Sequence, residues 1–330
     1  MTILVIQFLL IAAVVAGAGV VLARAADAIA EATGLGRLLV GSIGLAAATS
    51  LPELSVDIAA VQAGHVDLAA GDLLGSSLMN LLILAGIDIC RRNGRKMLSR
   101  EAASHALSAT LAIAVTALAG IAILTVGKLP AVTILGVGGW SWALLISYLL
   151  GARMLFIDQR ISARLAAESV PERSGSVGMP AAAFLVAAAV LLIAGPRLAA
   201  VAADLAERSG LGGTFVGTSL VAVTTSLPEL VASLAAVRLG AVDLAIGNVF
   251  GSNAFNMIMF VPLDAVYPGS LFAAVSPTHA VTAFAVIVAT AITVLGQLYH
   301  ADRRLAVIEP DALLVILVIG GALALVFQLS

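Results

Sequence analysis

The sequence predicts an all-α integral membrane protein: ten transmembrane helices arranged as two inverted five-helix repeats, with both termini outside (N-out/C-out). Three observations predict it. The composition is too apolar for a water-exposed surface, ten apolar stretches are separated by short polar breaks, and one 45-residue segment occurs twice.

The chain has 330 residues, 61% of them hydrophobic and 11% charged. A soluble domain carries roughly 25% charged residues, so the deficit excludes an ordinary soluble fold. Bilayer hydrocarbon is about 30 Å thick, and a helix needs roughly 20 apolar residues to cross it. The net charge of −2 says little, because the placement of charge matters more than its sum. Cys90 is the single cysteine, so neither an internal disulfide nor a cysteine metal cluster can form.

The apolar stretches fall near 3–23, 38–63, 66–90, 102–124, 130–150, 179–200, 211–237, 242–263, 276–298 and 311–329. The first could be mistaken for a signal peptide. It lacks a basic leading region and its apolar run is too long, so it reads as a spanning helix. Gly17 and Gly19 hint at a dinucleotide fingerprint, but the third glycine and the strand–helix context are missing. The polar stretch 151–178 reads as a cytoplasmic connector between a first half, 1–150, and a second, 179–330.

Loop charge orients the chain. With the loops numbered alternately, one face collects 14 basic residues, including Arg91, Arg92, Arg95, Lys96 and Arg100, and the other collects 3. The basic face is cytoplasmic by the positive-inside rule, which puts both termini outside. The arginine cluster at 91–100 reads as an anchor for anionic lipid. It is short and lacks aromatic partners, so no nucleic-acid partner is expected.

Residues 40–84 and 216–260 align without a gap at an offset of 176, with 21 of 45 positions identical. Similar composition alone would not duplicate Thr-Ser-Leu-Pro-Glu-Leu. Five helices separate the copies; five is odd, so the halves enter the membrane from opposite sides. Inverted repeats of this kind place a substrate site near the bilayer midplane, where broken helices meet.

Within the copies, Glu53 and Glu229 each follow a proline inside an apolar helix. An acid at mid-bilayer costs on the order of 3 kcal/mol. No basic residue lies near either in sequence, so a bound cation or a proton is the natural compensator. The plainer alternative is a protonated glutamate hydrogen-bonded to a neighbouring helix. Pro52 and Pro228 remove a helical hydrogen bond and free the carbonyls of Ala48 and Thr224. A freed carbonyl inside a membrane needs a partner, and a cation is one. A simple kink is the other reading.

Thr49 and Ser50 precede Glu53 by four and three residues, so they share its helix face; Thr225 and Ser226 do the same for Glu229. Their hydroxyls are neutral oxygen donors suited to Na⁺, although such groups also back-bond to their own helix. Ser76 and Asn80, matched by Ser252 and Asn256, present further oxygens one turn apart. The pairs Gly71–Gly75 and Gly247–Gly251 suit close helix packing. This inventory fits a hard cation: Ca²⁺ takes six to eight oxygens. No histidine or cysteine joins it, which argues against Zn²⁺ or Cu⁺.

These residues resemble the two signature repeats of the calcium/cation antiporter superfamily, which includes prokaryotic sodium/calcium exchangers. The resemblance implies that Glu53 and Glu229 bind Ca²⁺. It implies Na⁺ ligation by the carbonyls of Ala46 and Ala222, by Thr49, Ser50, Thr225 and Ser226, and by Ser76, Asn80, Ser252 and Asn256. The chain also departs from the pattern. Some sodium/calcium exchangers have an acid where this chain has Asn256, whereas proton-coupled exchangers use amides on both helices. Asp57 stands opposite Ser233, Asp72 opposite Asn248, and Ser77 opposite Asn253. Asp57 and Asp72 are candidates for binding a proton or lining an ion pathway.

The expected function is secondary antiport of Ca²⁺, or a similar cation, for Na⁺ by alternating access. Exchange for H⁺ is the alternative, and a cation channel a weaker one. No catalytic constellation, cofactor, nucleic-acid partner or obligate protein partner is expected. The expected partners are inorganic cations and the lipid bilayer of the cell inner membrane.

Overall fold

A computed structural model describes residues 2–90, 102–126, 128, 132–167, 176–208, 223–298 and 310–329. Ala222, the start of the second repeated segment and the arginine cluster at 91–100 lie outside the described residues. Among the described residues the regular structure is helical apart from one hairpin, β1 (Thr133–Ile134) and β2 (Val137–Gly138).

The helices are α1 (Thr2–Thr33), α2 (Arg37–Thr49), α3 (Leu51–Gln62), α4 (Val66–Cys90), α5 (Ala102–Thr125), α6 (Gly139–Ala167), α7 (Gly178–Arg208) and α8 (Leu227–Arg238). They continue with α9 (Val242–Val266), the single turn α10 (Leu271–Ala274), α11 (His279–Leu298) and α12 (Pro310–Leu329). Seven of them are long and apolar enough to cross a membrane, and the bent pair α2–α3 makes an eighth if counted as one span. Two elements outrun the apolar pattern. α1 continues through an alanine-rich stretch to Thr33, because nothing there breaks a helix. α6 begins only after the hairpin and continues to Ala167, so the first part of the polar stretch after residue 150 is helical.

Where both copies are described, their helix ends fold alike. α3 ends at Gly64 and α8 at Gly240, both with positive φ. In each, the next residue reaches back along the helix: His65 N–H to Ala60 at 2.9 Å, and Ala241 N–H to Ala236 at 2.9 Å. These are Schellman-type ends, which favour glycine because it enters the left-handed region without a Cβ clash. The turn lets α4 and α9 start directly afterwards.

The chain divides into two compact units, Met1–Val56 with Ala163–Asn248, and Asp57–Ser162 with Val249–Ser330. In the first, α1 packs along α7 and across α8, and the last turn of α2 touches both α7 and α8. Val15, Leu22, Leu45, Leu191, Leu198 and Leu244 lie at its core. Two glycines carry the closest approaches. A Cβ on Gly41 of α2 would lie 2.5 Å from the Leu244 carbonyl, and one on Gly247 would lie 2.6 Å from the Leu38 carbonyl. Of the four glycines expected to permit close packing, Gly247 therefore does so tightly. Gly71 faces only the ring of His279, and Gly75 meets nothing within 4 Å.

In the second unit, α11 packs on α5, α4 and α12. Asp264, buried near the end of α9, accepts hydrogen bonds from Gly138 N–H and Ser141 Oγ, both at 2.7 Å, and from Leu271 N–H at 3.1 Å. It thereby ties the hairpin, the start of α6 and the start of α10 together.

Candidate cation-binding site

The first unit holds both glutamates. α2 and α3 meet at a 43° bend centred on Ser50. The cause is local: Pro52 has no N–H to give the Ala48 carbonyl, so the ladder breaks there. Ser50 leaves the helical region at φ −90, ψ 1, and its counterpart Ser226 does the same at φ −82, ψ 6. Each break puts a glutamate in the first turn of a new helix, Glu53 in α3 and Glu229 in α8. That is where unpaired backbone N–H groups and the helix dipole favour negative charge.

Just before the break, Val40–Leu45 forms a π-helical turn, and Ala46 N–H reaches back five residues to the Gly41 carbonyl. Such widened turns are rare and cluster at functional positions. The carbonyl of Ala46 accepts both Ser50 N–H at 3.1 Å and Thr49 Oγ1 at 3.2 Å.

The glutamates of the two copies meet. Glu229 lies within hydrogen-bond reach of Glu53, Thr49 and Ser50, and Ser50 Oγ donates to Glu229 Oε1 at 3.0 Å. Both carboxyl groups are 1% exposed. Two carboxylates in contact in apolar surroundings repel strongly unless a cation or a proton joins them. Glu229 Oε2 and Ser226 Oγ have no hydrogen-bond partner among the described residues. Thr225 is buried beside Ser226 in the chain.

One first-unit residue emerges that sequence reasoning passes over. Asn248 donates through Nδ2 to Ser233 Oγ at 3.0 Å, and its Oδ1 lies 3.4 Å from Thr49 Oγ1. It thus links the second copy to the binding turn of the first.

The second unit holds the remaining expected ligands. Ser76 and Asn80 on α4, and Ser252 and Asn256 on α9, are all buried. Ser76 Oγ, Asn80 Oδ1, Ser252 Oγ and Asn256 Oδ1 have no hydrogen-bond partner among the described residues. Asp57 and Asp72 lie within reach of each other. At the matching positions, Ser233 and Asn248 form the neutral bond already described. Among the described residues, no group of three or more His, Cys, Asp or Glu side chains is placed to hold a metal.

A helical membrane fold with a buried pair of acids at a helix break defines a cation transporter. The comparisons agree. The family model described as "Sodium/calcium exchanger protein" matches residues 3–156 and 179–327, so the chain belongs to that family of cation antiporters and is a multi-pass membrane protein. The chain is 29% identical over 260 residues to inner membrane protein YrbG of Escherichia coli strain K12, covering 75% of each chain. It is 28% identical over 251 residues to the putative antiporter CaxA of Alkalimonas amylolytica, covering 76% of each. A shorter stretch of 62 residues is 47% identical to the sodium/calcium exchanger MaX1 of Methanosarcina acetivorans, spanning 19% of this chain and 18% of that one. In fold, the chain resembles the sodium-calcium exchanger NCX_Mj with a TM-score of 0.71 at 18% identity, over 98% of both chains.

Proposed function

We propose that this antiporter exchanges Ca²⁺, or a similar hard cation, for Na⁺, and that Glu53 and Glu229 hold the cation. The observation that carries the reading is the contact between these two buried carboxyl groups, one from each copy of the repeat. A divalent cation neutralises both at once, and hydroxyls and carbonyls complete its oxygen shell. Thr49, Ser50, Thr225 and Ser226, with the carbonyls of Ala46 and Ala222, are the proposed neutral ligands beside the glutamates. Ser76, Asn80, Ser252 and Asn256 are proposed as further ligands, supported by the family resemblance and by their four unpartnered oxygens.

The same reading takes the chain as ten spans with both termini outside, in the cell inner membrane. The loop charge and the name of the Escherichia coli relative support it. The halves, 1–150 and 179–330, then run in opposite directions through the membrane. In this scheme the site opens to each side in turn, and neither ion crosses without the other.

Exchange for H⁺ is the second reading, and one observation favours it. Asp57 and Asp72 lie within reach of each other, and one shared proton would relieve the repulsion between two carboxylates so placed. Uptake of radiolabelled Ca²⁺ into vesicles holding the purified protein, under imposed Na⁺ or pH gradients, separates the two. The sodium reading predicts uptake that follows the Na⁺ gradient and saturates. Uptake that ignores Na⁺ and follows pH selects the proton reading. Uptake that needs no counter-ion overturns antiport itself.

A further inference from the structure

The asparagine amides of the second unit are held in one orientation by groups that can act in only one way. A backbone carbonyl accepts hydrogen bonds and never donates them. The Ser77 carbonyl lies 3.1 Å from one end of the Asn253 amide, so that end is Nδ2. The other end, Oδ1, faces Asn80 at 3.0 Å, where only Nδ2 of Asn80 can meet it. Asn80 Oδ1 therefore points away from this network.

Asn256 is fixed by the same logic. Its Nδ2 lies 3.3 Å from the Leu73 carbonyl. The Ser77 hydroxyl spends its proton on that same carbonyl at 2.9 Å, and so offers only lone pairs to Asn256 Nδ2 at 3.4 Å. Asn256 Oδ1 is left as the free end. Among the described residues, Asn80 Oδ1, Asn256 Oδ1 and the hydroxyls of Ser76 and Ser252, one turn earlier on each helix, are four of the buried oxygens without a hydrogen-bond partner. A buried acceptor left unbonded is costly, and a hard cation is a partner that such oxygens suit.

We propose that Asn253 and Ser77 are positioning residues: they turn the amide oxygens of Asn80 and Asn256 outward as cation ligands. Each acts across the repeat, Asn253 on Asn80 of the first copy and Ser77 on Asn256 of the second. Positions 77 and 253 are a matched pair at which the copies differ, so one short and one long side chain stand there on α4 and α9. This inference rests on the reading of Asn80 and Asn256 as ligands.

The test is a pair of double-mutant cycles on protein reconstituted in vesicles, with Ca²⁺ and Na⁺ as the ions. Asn253→Leu keeps the volume and removes both hydrogen bonds. It is expected to raise the KM for the transported cation about tenfold, as loss of an outer-shell partner does at metal sites, with the maximal rate kept within about threefold. Asn80→Ala raises KM as well, and Asn253→Leu adds nothing in its presence, because the residue acts through Asn80. A KM unchanged in Asn253→Leu, or losses that multiply in the double variant, overturns the proposal. If Asn253→Leu does not fold, the cycle of Ser77→Ala with Asn256→Ala answers the same question with the same two outcomes. A silent Asn80→Ala would instead count against the ligand reading itself.

Discussion

Ser50, from the first copy of the repeated segment, donates its hydroxyl to the carboxylate of Glu229 in the second at 3.0 Å. The first copy thus helps to build the acid site of the second. Ser50→Ala removes a hydrogen bond to a charged acceptor, worth about 1.5–3 kcal/mol. The KM for the transported cation is expected to rise about tenfold or more, while the protein still inserts and purifies. Glu229→Gln should nearly abolish transport. Flux assays on both variants check the order: a larger loss in Ser50→Ala than in Glu229→Gln contradicts the assignment of Glu229 as the ligand.

Asn256→Asp tests the amide orientation from the other side. The end of Asn256 now carrying Nδ2 faces the Leu73 carbonyl. An aspartate can fill that place only when protonated, because an ionised oxygen there would face another acceptor. The ratio of variant to wild-type flux is therefore expected to change between about pH 5 and about pH 8, across which a perturbed carboxyl group titrates. A constant ratio contradicts this arrangement.

Packing beside the glutamate turn predicts a stability difference between two glycines. A Cβ on Gly195 of α7 would sit 2.4 Å from Pro52 Cβ, next to Glu53 in the chain. The proline ring cannot rotate away. Gly195→Ala is expected to cost about 1–3 kcal/mol, the usual penalty for overpacking, and to lower Tm. Gly17→Ala, where a Cβ meets nothing within 4 Å, should leave Tm unchanged or raise it. A Cβ on Gly19 of α1 would lie 3.1 Å from Val231 Cγ1, so Gly19→Ala should fall between the two.

Asp264 makes a sharper chemical prediction. All three of its partners are donors. Asp264→Asn keeps one oxygen to accept from Gly138 and Ser141 but turns an amide N–H toward Leu271 N–H, so it should destabilise by about 1–3 kcal/mol, less than Asp264→Ala, which leaves all three donors unsatisfied. Thermal unfolding in detergent measures this. An asparagine variant as stable as the wild type would show that the carboxylate is not the tie between hairpin, α6 and α10.

Much of the site is legible in the sequence because its causes are local. Pro52 and Pro228 lack the N–H that the helix ladder needs, and at both the break puts Glu53 and Glu229 at helix starts. The burial of Ser76, Asn80, Ser252 and Asn256 follows from apolar helices with one polar face. What the sequence does not reveal depends on residues far apart in the chain. Asn248 meets Thr49 across 199 positions and Asn253 meets Asn80 across 173, and no periodicity announces either pair. The π-turn at Val40–Leu45 has the same origin: it shares its glycine with the close approach of α9, a tertiary feature. Asp264 did leave a signal, an acid near the end of an apolar span, which composition alone does not connect to the loops it holds.

The central claim is that Glu53 and Glu229 together hold the transported cation. Equilibrium binding of radiolabelled Ca²⁺ to the purified protein tests it most directly, in the wild type and in Glu53→Gln and Glu229→Gln. The account predicts saturable binding in the wild type that weakens about a hundredfold in either variant, corresponding to about 3 kcal/mol for removing one of two buried charges from its partner ion. Binding that survives intact in either variant would mean that the two acids do not share the ion.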